Sequence, residues 1–73
     1  MACKRFDVVP NGTQWQVTHL SRALSNHFTK DAAITAGVSV ARANQPSQLL
    51  IHRADGTIED ERTYGDDPFP PRG

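Results

Sequence analysis

Apolar and polar residues alternate in two stretches near the start of the chain, RFDVV at 5–9 and TQWQVTHL at 13–20. A period of two is typical of strands that bury one face. Between the stretches lies Asn11-Gly12, a dipeptide that tolerates the positive φ angles of a tight turn. The pattern predicts a β-hairpin, with Trp15 covering one end of the core.

The next segment, SRALSNH at 21–27, has no clean period and predicts a loop. Thr29 then offers a hydroxyl to the free amides of a helix start, so a helix is predicted over 30–44. Gly37 in its interior predicts a close approach of the helix backbone to the sheet. The expected packing stripe consists of small and β-branched residues: Ala33, Ile34, Gly37, Val38 and Ala41.

Pro46 ends the helix, and the apolar run that follows it predicts a third strand at 47–53. Its Leu50 and His52 are expected to face away from the core. An Asp-Gly turn then predicts a fourth strand at 57–64. Charged residues share a face of this strand with apolar ones, which predicts a bulge or an exit from the core; the residues concerned are Ile58, Asp60, Arg62 and Tyr64.

These elements predict an α+β fold of order β-β-α-β-β, an antiparallel sheet with one helix packed on one face. We interpret residues 1–73 as a single domain, with a core at about 4–65 and a proline-rich C-terminal tail at 66–73. A chain of 73 residues buries only about 60% of its unfolded surface. Its binding surfaces are therefore expected to be shallow.

The composition of the chain restricts the kinds of partner and the cellular compartment that we expect for it. Eight Lys and Arg balance eight Asp and Glu, so no long-range field draws the chain towards phosphates. Cys3 is the only cysteine, which excludes an intramolecular disulfide and favours a reducing compartment. The chain shows neither a signal peptide nor an apolar run of about 20 residues. We expect a cytoplasmic protein without a membrane partner.

Reactive groups do not form a recognisable site. Cys3 and the three histidines are scattered, unlike the local pairs of zinc sites. Residues 59–61 are consecutive carboxylates on a strand, so they alternate between faces and do not converge as an acid/base pair. We therefore expect no catalytic residues, no metal and no cofactor.

Two binding hypotheses follow. The first is a non-enzymatic protein-interaction module that self-associates as a possible homodimer or meets an unknown protein partner. Its candidate interaction face is the outer side of the sheet: Gln16, Thr18, Leu50 and His52. The alternative is a weak nucleic-acid-binding protein, which is not favoured because the net charge is zero. Its candidate phosphate contacts are Lys30, Arg42 and Arg53.

The motifs WQV, FTKDAAI, LLIHRADGTI and RTYGDDPFPPRG resemble the bacterial family known as domain of unknown function 2188. The chain departs from that family's pattern between His19 and His27. The resemblance implies no activity. A similarity to paired ββ-helix repeats in another bacterial group implies self-pairing. The matching positions are Trp15, Val17, Phe28, Thr29, Lys30, Ala33, Ile34, His52, Asp55, Gly56, Tyr64, Gly65, Asp67 and Pro68.

Overall fold

The computed structural model describes residues 3–65. Five strands and one helix occupy this part of the chain. In order they are β1 (Lys4–Asn11), β2 (Gln14–His19), β3 (Arg22–His27), α1 (Lys30–Ala43), β4 (Ser47–His52) and β5 (Ile58–Tyr64).

The α+β class is confirmed, but the predicted element order is wrong because the segment at 21–27 is a strand. His19 pairs with Arg22, so Leu20 and Ser21 form a two-residue turn. Both have positive φ, +52° and +68°, as a type I′ hairpin turn requires. Asn and Gly dominate such turns, and their absence here concealed this hairpin from sequence analysis.

The additional strand also explains why the sheet is mixed rather than antiparallel. The strand order is β3-β2-β1-β4-β5, with β1 and β4 parallel at the centre and every other pair antiparallel. β1, β2 and β3 alternate in direction, and α1 then runs back along the sheet, so β4 starts in the same direction as β1. With only two strands before the helix, as predicted, β4 would have run antiparallel to β1.

Helix α1 packs on one face of the sheet through its small residues. The Thr29 hydroxyl accepts a hydrogen bond from the amide of Ala32 at 3.1 Å, which confirms the predicted cap. A Cβ atom on Gly37 would lie 3.0 Å from Leu49 Cδ1, so the backbone approach expected at Gly37 is real. The core consists of Phe6, Val8, Val17, Ala33, Ala41, Leu49 and Ile51, and Trp15 lies partly buried against it.

The second hairpin forms as expected, with Gly56 at a φ of +92°. In the first hairpin Asn11 pairs with Gln14, so the turn residues are Gly12 and Thr13, one position later than predicted. The β4–β5 register shifts between Ile51 and His52, which agrees with a bulge, the first of the two predicted explanations. Ile58, which lies beyond this register shift, is 42% exposed and does not belong to the core.

The proline-rich tail predicted at 66–73 lies outside the described residues. Within residues 3–65, no helix is both long and apolar enough to cross a membrane.

Candidate interaction surface

The face of the sheet opposite α1 carries no helix of the described chain, and we call it the open face. Strand pairing aligns Asp7 with both Thr18 and Leu50, and the side-chain alternation of strands puts all three on this face. The structure thus brings all four residues of the candidate interaction face together on the open face: Gln16, Thr18, Leu50 and His52.

Leu50 is only 5% exposed although it lies on the open face. Its neighbours on the adjacent strands are Asp7 and Glu61. Leu50 belongs to the central parallel pair of strands, β1 and β4. Parallel strands are usually covered on both faces, whereas the described residues place a helix on one face of this pair.

Beside Leu50 lies a network of charged side chains centred on Asp7. Arg5 donates two hydrogen bonds to the carboxylate, from Nε to Oδ1 at 3.1 Å and from Nη2 to Oδ2 at 3.0 Å. His52 Nε2 lies 2.7 Å from the same Oδ2. The side chains of Asp7 and His52 are only 14% and 13% exposed. Two partners, one on β1 and one on β4, therefore hold a largely buried carboxylate.

Both ring nitrogens of His52 face acceptors. Nε2 points to the Asp7 carboxylate, and Nδ1 lies 3.0 Å from the carbonyl oxygen of Gly56. A neutral imidazole has one N–H, so only the protonated ring donates to both. Both ring nitrogens are thus directed at protein acceptors rather than at a substrate.

The pKa of Asp7 reflects the same contacts. Burial by itself raises the pKa of this carboxyl, but the hydrogen bonds from Arg5 and His52 lower it further than burial raises it. The pKa therefore lies below its ordinary value. The carboxylate stays charged at neutral pH and ties β1 to β4 on the open face.

Next to the network is a surface depression of about 510 Å³. It follows β1 and β2 and reaches the β2–β3 turn. Apolar and polar side chains line it in a mixture that suits contact with another protein better than enclosure of a small molecule. The lining residues are Arg5, Asp7, Val9, Gln16, Thr18, Leu20 and Ser21.

A second feature lies along β3, which forms one edge of the sheet. Leu20, Leu24 and Phe28 are 79%, 46% and 84% exposed. They occupy the turn before β3, the strand itself and the residue after it. Sequence analysis missed this surface because it interpreted 21–27 as a loop. The available signal was the regular spacing of three large apolar residues at four-residue intervals.

The opposite edge, β5, differs in character. Its residues 59–62 are all charged and exposed. Arg62 pairs with Asp60 at 3.1 Å, and Lys30 pairs with Glu59 across to the helix. Charged side chains discourage another strand from adding to a sheet edge. The β5 edge is thus protected, whereas the β3 edge carries only one Lys or Arg, Arg22.

The candidate phosphate contacts of the alternative hypothesis are not gathered into one patch. Lys30 is ion-paired to Glu59 and lies 5.2 Å from the Trp15 ring centroid. Arg42 lies twelve residues further along α1, about 18 Å away by helix rise. Arg53 bonds to the backbone and side chain of its own hairpin.

The histidines also occupy separate places: His19 packs against the Phe6 ring, and His27 bonds to Ser25. Over residues 3–65, no group of three His, Cys, Asp or Glu side chains is arranged to hold a metal ion.

A family model matches most of the chain. Residues 6–64 match the model of the family described as "Uncharacterized protein conserved in bacteria (DUF2188)". No curated protein and no solved structure matches the chain. The matched range extends from β1 to the end of β5 and includes most of the open face. The chain belongs to this bacterial family of unknown function.

Proposed function

We propose that this domain is a non-enzymatic protein-interaction module of the bacterial cytoplasm, which self-associates and binds a partner protein on the open face of its sheet. The observation that carries the proposal is the face above β1 and β4, which no helix within residues 3–65 covers. Leu50 is 5% exposed there, within a shell of half-buried polar side chains. An apolar centre within a polar rim is the general composition of protein–protein interfaces.

The Asp7–His52 pair supports a binding role over a catalytic one. General-base catalysis requires a ring nitrogen directed at the substrate, and both nitrogens of His52 are directed at protein acceptors. The pair instead fixes side chains on the open face, because Asp7 is held by groups from β1 and β4 together. Fixed side chains lose less conformational entropy when a partner binds.

The partner is expected to be a protein because the open face mixes uncharged polar, apolar and paired charged groups. Gln16 and Thr18 offer hydrogen bonds, Val9 offers apolar area, and Arg5 is already neutralised by Asp7. A phosphate backbone would require several unpaired cations along one surface. The absence of net charge on the chain agrees with this choice.

Affinity capture from extract of the source bacterium tests the proposal with three baits: the wild type, Gln16→Arg and Ser39→Arg. Gln16 lines the depression, whereas Ser39 is exposed on α1 over the opposite face. Both variants add one positive charge, so charge alone does not distinguish them. We expect one protein to bind the wild type and Ser39→Arg and to be lost with Gln16→Arg.

Identical sets of captured proteins for all three baits would contradict the open face as the binding surface. Nuclease treatment and a salt series complete the experiment. Material that is removed by nuclease and by rising salt would instead establish the nucleic-acid alternative, since phosphate contacts weaken steeply with salt.

A further inference from the structure

His52 ends β4, and its ring contacts both β1 and the turn at 53–57 that joins β4 to β5. Nε2 lies 2.7 Å from Asp7 Oδ2, and Nδ1 lies 3.0 Å from the carbonyl oxygen of Gly56. We propose that these contacts form a proton-controlled latch, the His52 latch, which ties the turn to Asp7 when the ring is protonated and releases the turn when the ring is neutral. The effect of the latch on partner binding rests on the proposed function.

The two contacts of the ring coexist only while it carries two protons. A carboxylate and a carbonyl oxygen both accept hydrogen bonds, and neither donates one. A neutral imidazole has a single N–H, so it donates to one oxygen and turns a lone pair towards the other. The observed pair of distances on His52 therefore corresponds to the imidazolium form.

The contact with Asp7 is the one that survives when His52 loses a proton. Burial raises the pKa of the Asp7 carboxyl, but hydrogen bonds from Arg5 and His52 lower it below its ordinary value, so the acceptor is charged. Hydrogen bonds to a charged acceptor are about twice as strong as those between neutral groups. Nε2 therefore keeps the remaining proton, and the lone pair of Nδ1 then faces the carbonyl oxygen of Gly56.

The turn at 53–57 is also held by its own hydrogen bonds. The amide of Arg53 donates to the carbonyl of Thr57 at 2.7 Å, and the amide of Gly56 donates to the carbonyl of Arg53 at 2.9 Å. The Asp55 carboxylate accepts from the amide and the hydroxyl of Thr57 at 3.0 and 2.7 Å. Loss of the His52 contact therefore lets the turn move as a unit without unfolding it.

Histidine is the side chain that ordinarily changes charge between about pH 5 and 8, whereas carboxylates and guanidinium groups do not. The charged groups on the elements packed around His52 are all carboxylates or guanidinium groups. They are Arg5 and Asp7 on β1, Glu61 on β5, and Arg53 and Asp55 in the turn. His19 and His27 pair with Phe6 and Trp15, whose side chains pack into the helix-covered core. A change at Gly56 in this pH range therefore reports on His52.

NMR spectroscopy tests the latch through long-range ¹H–¹⁵N spectra of the imidazole rings, recorded over about pH 5 to 9. At the acid end we expect protons on both nitrogens of His52, and at the alkaline end a proton on Nε2 alone. The backbone resonances of Gly56 and Thr57 should shift along the same titration curve. A neutral ring that keeps its proton on Nδ1, or Gly56 and Thr57 resonances that stay constant with pH, would overturn the latch.

Two variants make the spectra specific to the contact with Asp7. Asp7→Asn places an amide that donates to Nε2 and leaves the remaining ring proton on Nδ1, an arrangement that satisfies both nitrogens of the neutral ring. We expect the Gly56 resonance of this variant to lose most of its pH dependence. His27→Gln is the control, because it removes a histidine on the helix-covered face, and its Gly56 titration curve should match the wild type. An unchanged curve in Asp7→Asn would contradict the role of the carboxylate.

The latch bears on the proposed function because His52 lies on the open face. A tethered surface loses less conformational entropy on binding, so the captured partner should bind more strongly at pH 6 than at pH 8.5. Loss of one hydrogen bond corresponds to about fivefold in affinity. We expect the ratio of the two affinities to fall by about this factor with the bait His52→Gln and to stay unchanged with His27→Gln.

The two experiments separate the latch from the proposed function. Equal affinity ratios for His52→Gln and the wild type, with the expected NMR titration, would overturn only the effect of the latch on binding. Absence of a captured partner at both pH values would overturn the proposed function, and the NMR titration would still establish or overturn the latch. Circular dichroism of each variant checks that the fold is intact.

Discussion

Leu49 and Leu50 are adjacent leucines on β4, and their side chains face opposite sides of the sheet. Leu49 is fully buried beneath α1 and limits the space at Gly37. Leu50 is nearly as buried, but it lies beneath polar side chains rather than a helix. One face is closed by packing within the chain, and the other keeps an apolar residue below a thin polar layer. Near-equal burial of the two leucines thus has different physical causes.

The largest expected effect lies on the helix-covered face. Ile51→Ala removes a side chain that is 1% exposed and leaves a cavity between sheet and helix. We expect a loss of about 2–5 kcal/mol in the free energy of unfolding. Urea denaturation measures it. A loss below about 1 kcal/mol would indicate that the core does not depend on close packing at this position.

Gly37→Val tests the closeness of that packing. An added Cβ would lie 3.0 Å from Leu49 Cδ1 and 3.1 Å from Val8 Cγ2, and the further methyl groups need more room. We expect a loss of about 1–3 kcal/mol by overpacking. Ser39→Val is the control, since it places the same side chain on the exposed side of α1. Equal stability of the two variants would contradict a tight helix–sheet contact.

On the open face, Asp7→Asn tests the charged network. The hydrogen bonds from Arg5 and His52 favour the carboxylate, so we expect a loss of about 1–2 kcal/mol at pH 7. Because the pKa of Asp7 is lowered in the folded state, its contribution is present above the unfolded pKa of about 4 and is lost as the pH falls through the folded pKa.

Urea denaturation at pH 7 and at acid pH therefore distinguishes the contribution of the charged Asp7 carboxylate from that of the protonated carboxyl group. The difference between the wild type and Asp7→Asn should shrink at low pH, while the wild type itself loses stability. Arg5, His52 and the nearby Glu61 are the ionisable groups that face this network. A difference that stays constant with pH would contradict a stabilising Asp7 carboxylate.

The smallest effect has the opposite sign. The double substitution Leu20→Asn with Ser21→Gly provides residues that tolerate left-handed φ, so we expect a gain of about 1 kcal/mol in stability. A variant that loses stability would show that the Leu20–Ser21 turn is not strained.

Sequence patterns predicted the elements that have local signals. Thr29 marked the helix start, Asp55-Gly56 marked a turn, and Gly37 marked the close backbone approach. β3 lacked such signals, because its turn is Leu-Ser and its bulge at Leu24 interrupts the period of two. The parallel pairing of β1 with β4 followed from that one missed strand.

The open-face network was not predictable for a different reason. Asp7 and His52 are 45 residues apart in the chain, and the contact depends on parallel pairing of their strands. Outward-facing positions such as Leu50 were identified by alternation alone. Alternation gives the face on which a side chain lies, but it does not give the partners that the sheet brings beside it.

The most direct test compares Leu49→Ala with Leu50→Ala in urea denaturation and in affinity capture. We expect Leu49→Ala to lose about 3–5 kcal/mol because its cavity is enclosed. Leu50→Ala should lose about 1–2 kcal/mol because water fills the space, yet it should lose the captured partner. Equal losses of stability, or a partner retained by Leu50→Ala, would contradict the assignment of one face to folding and the other to binding.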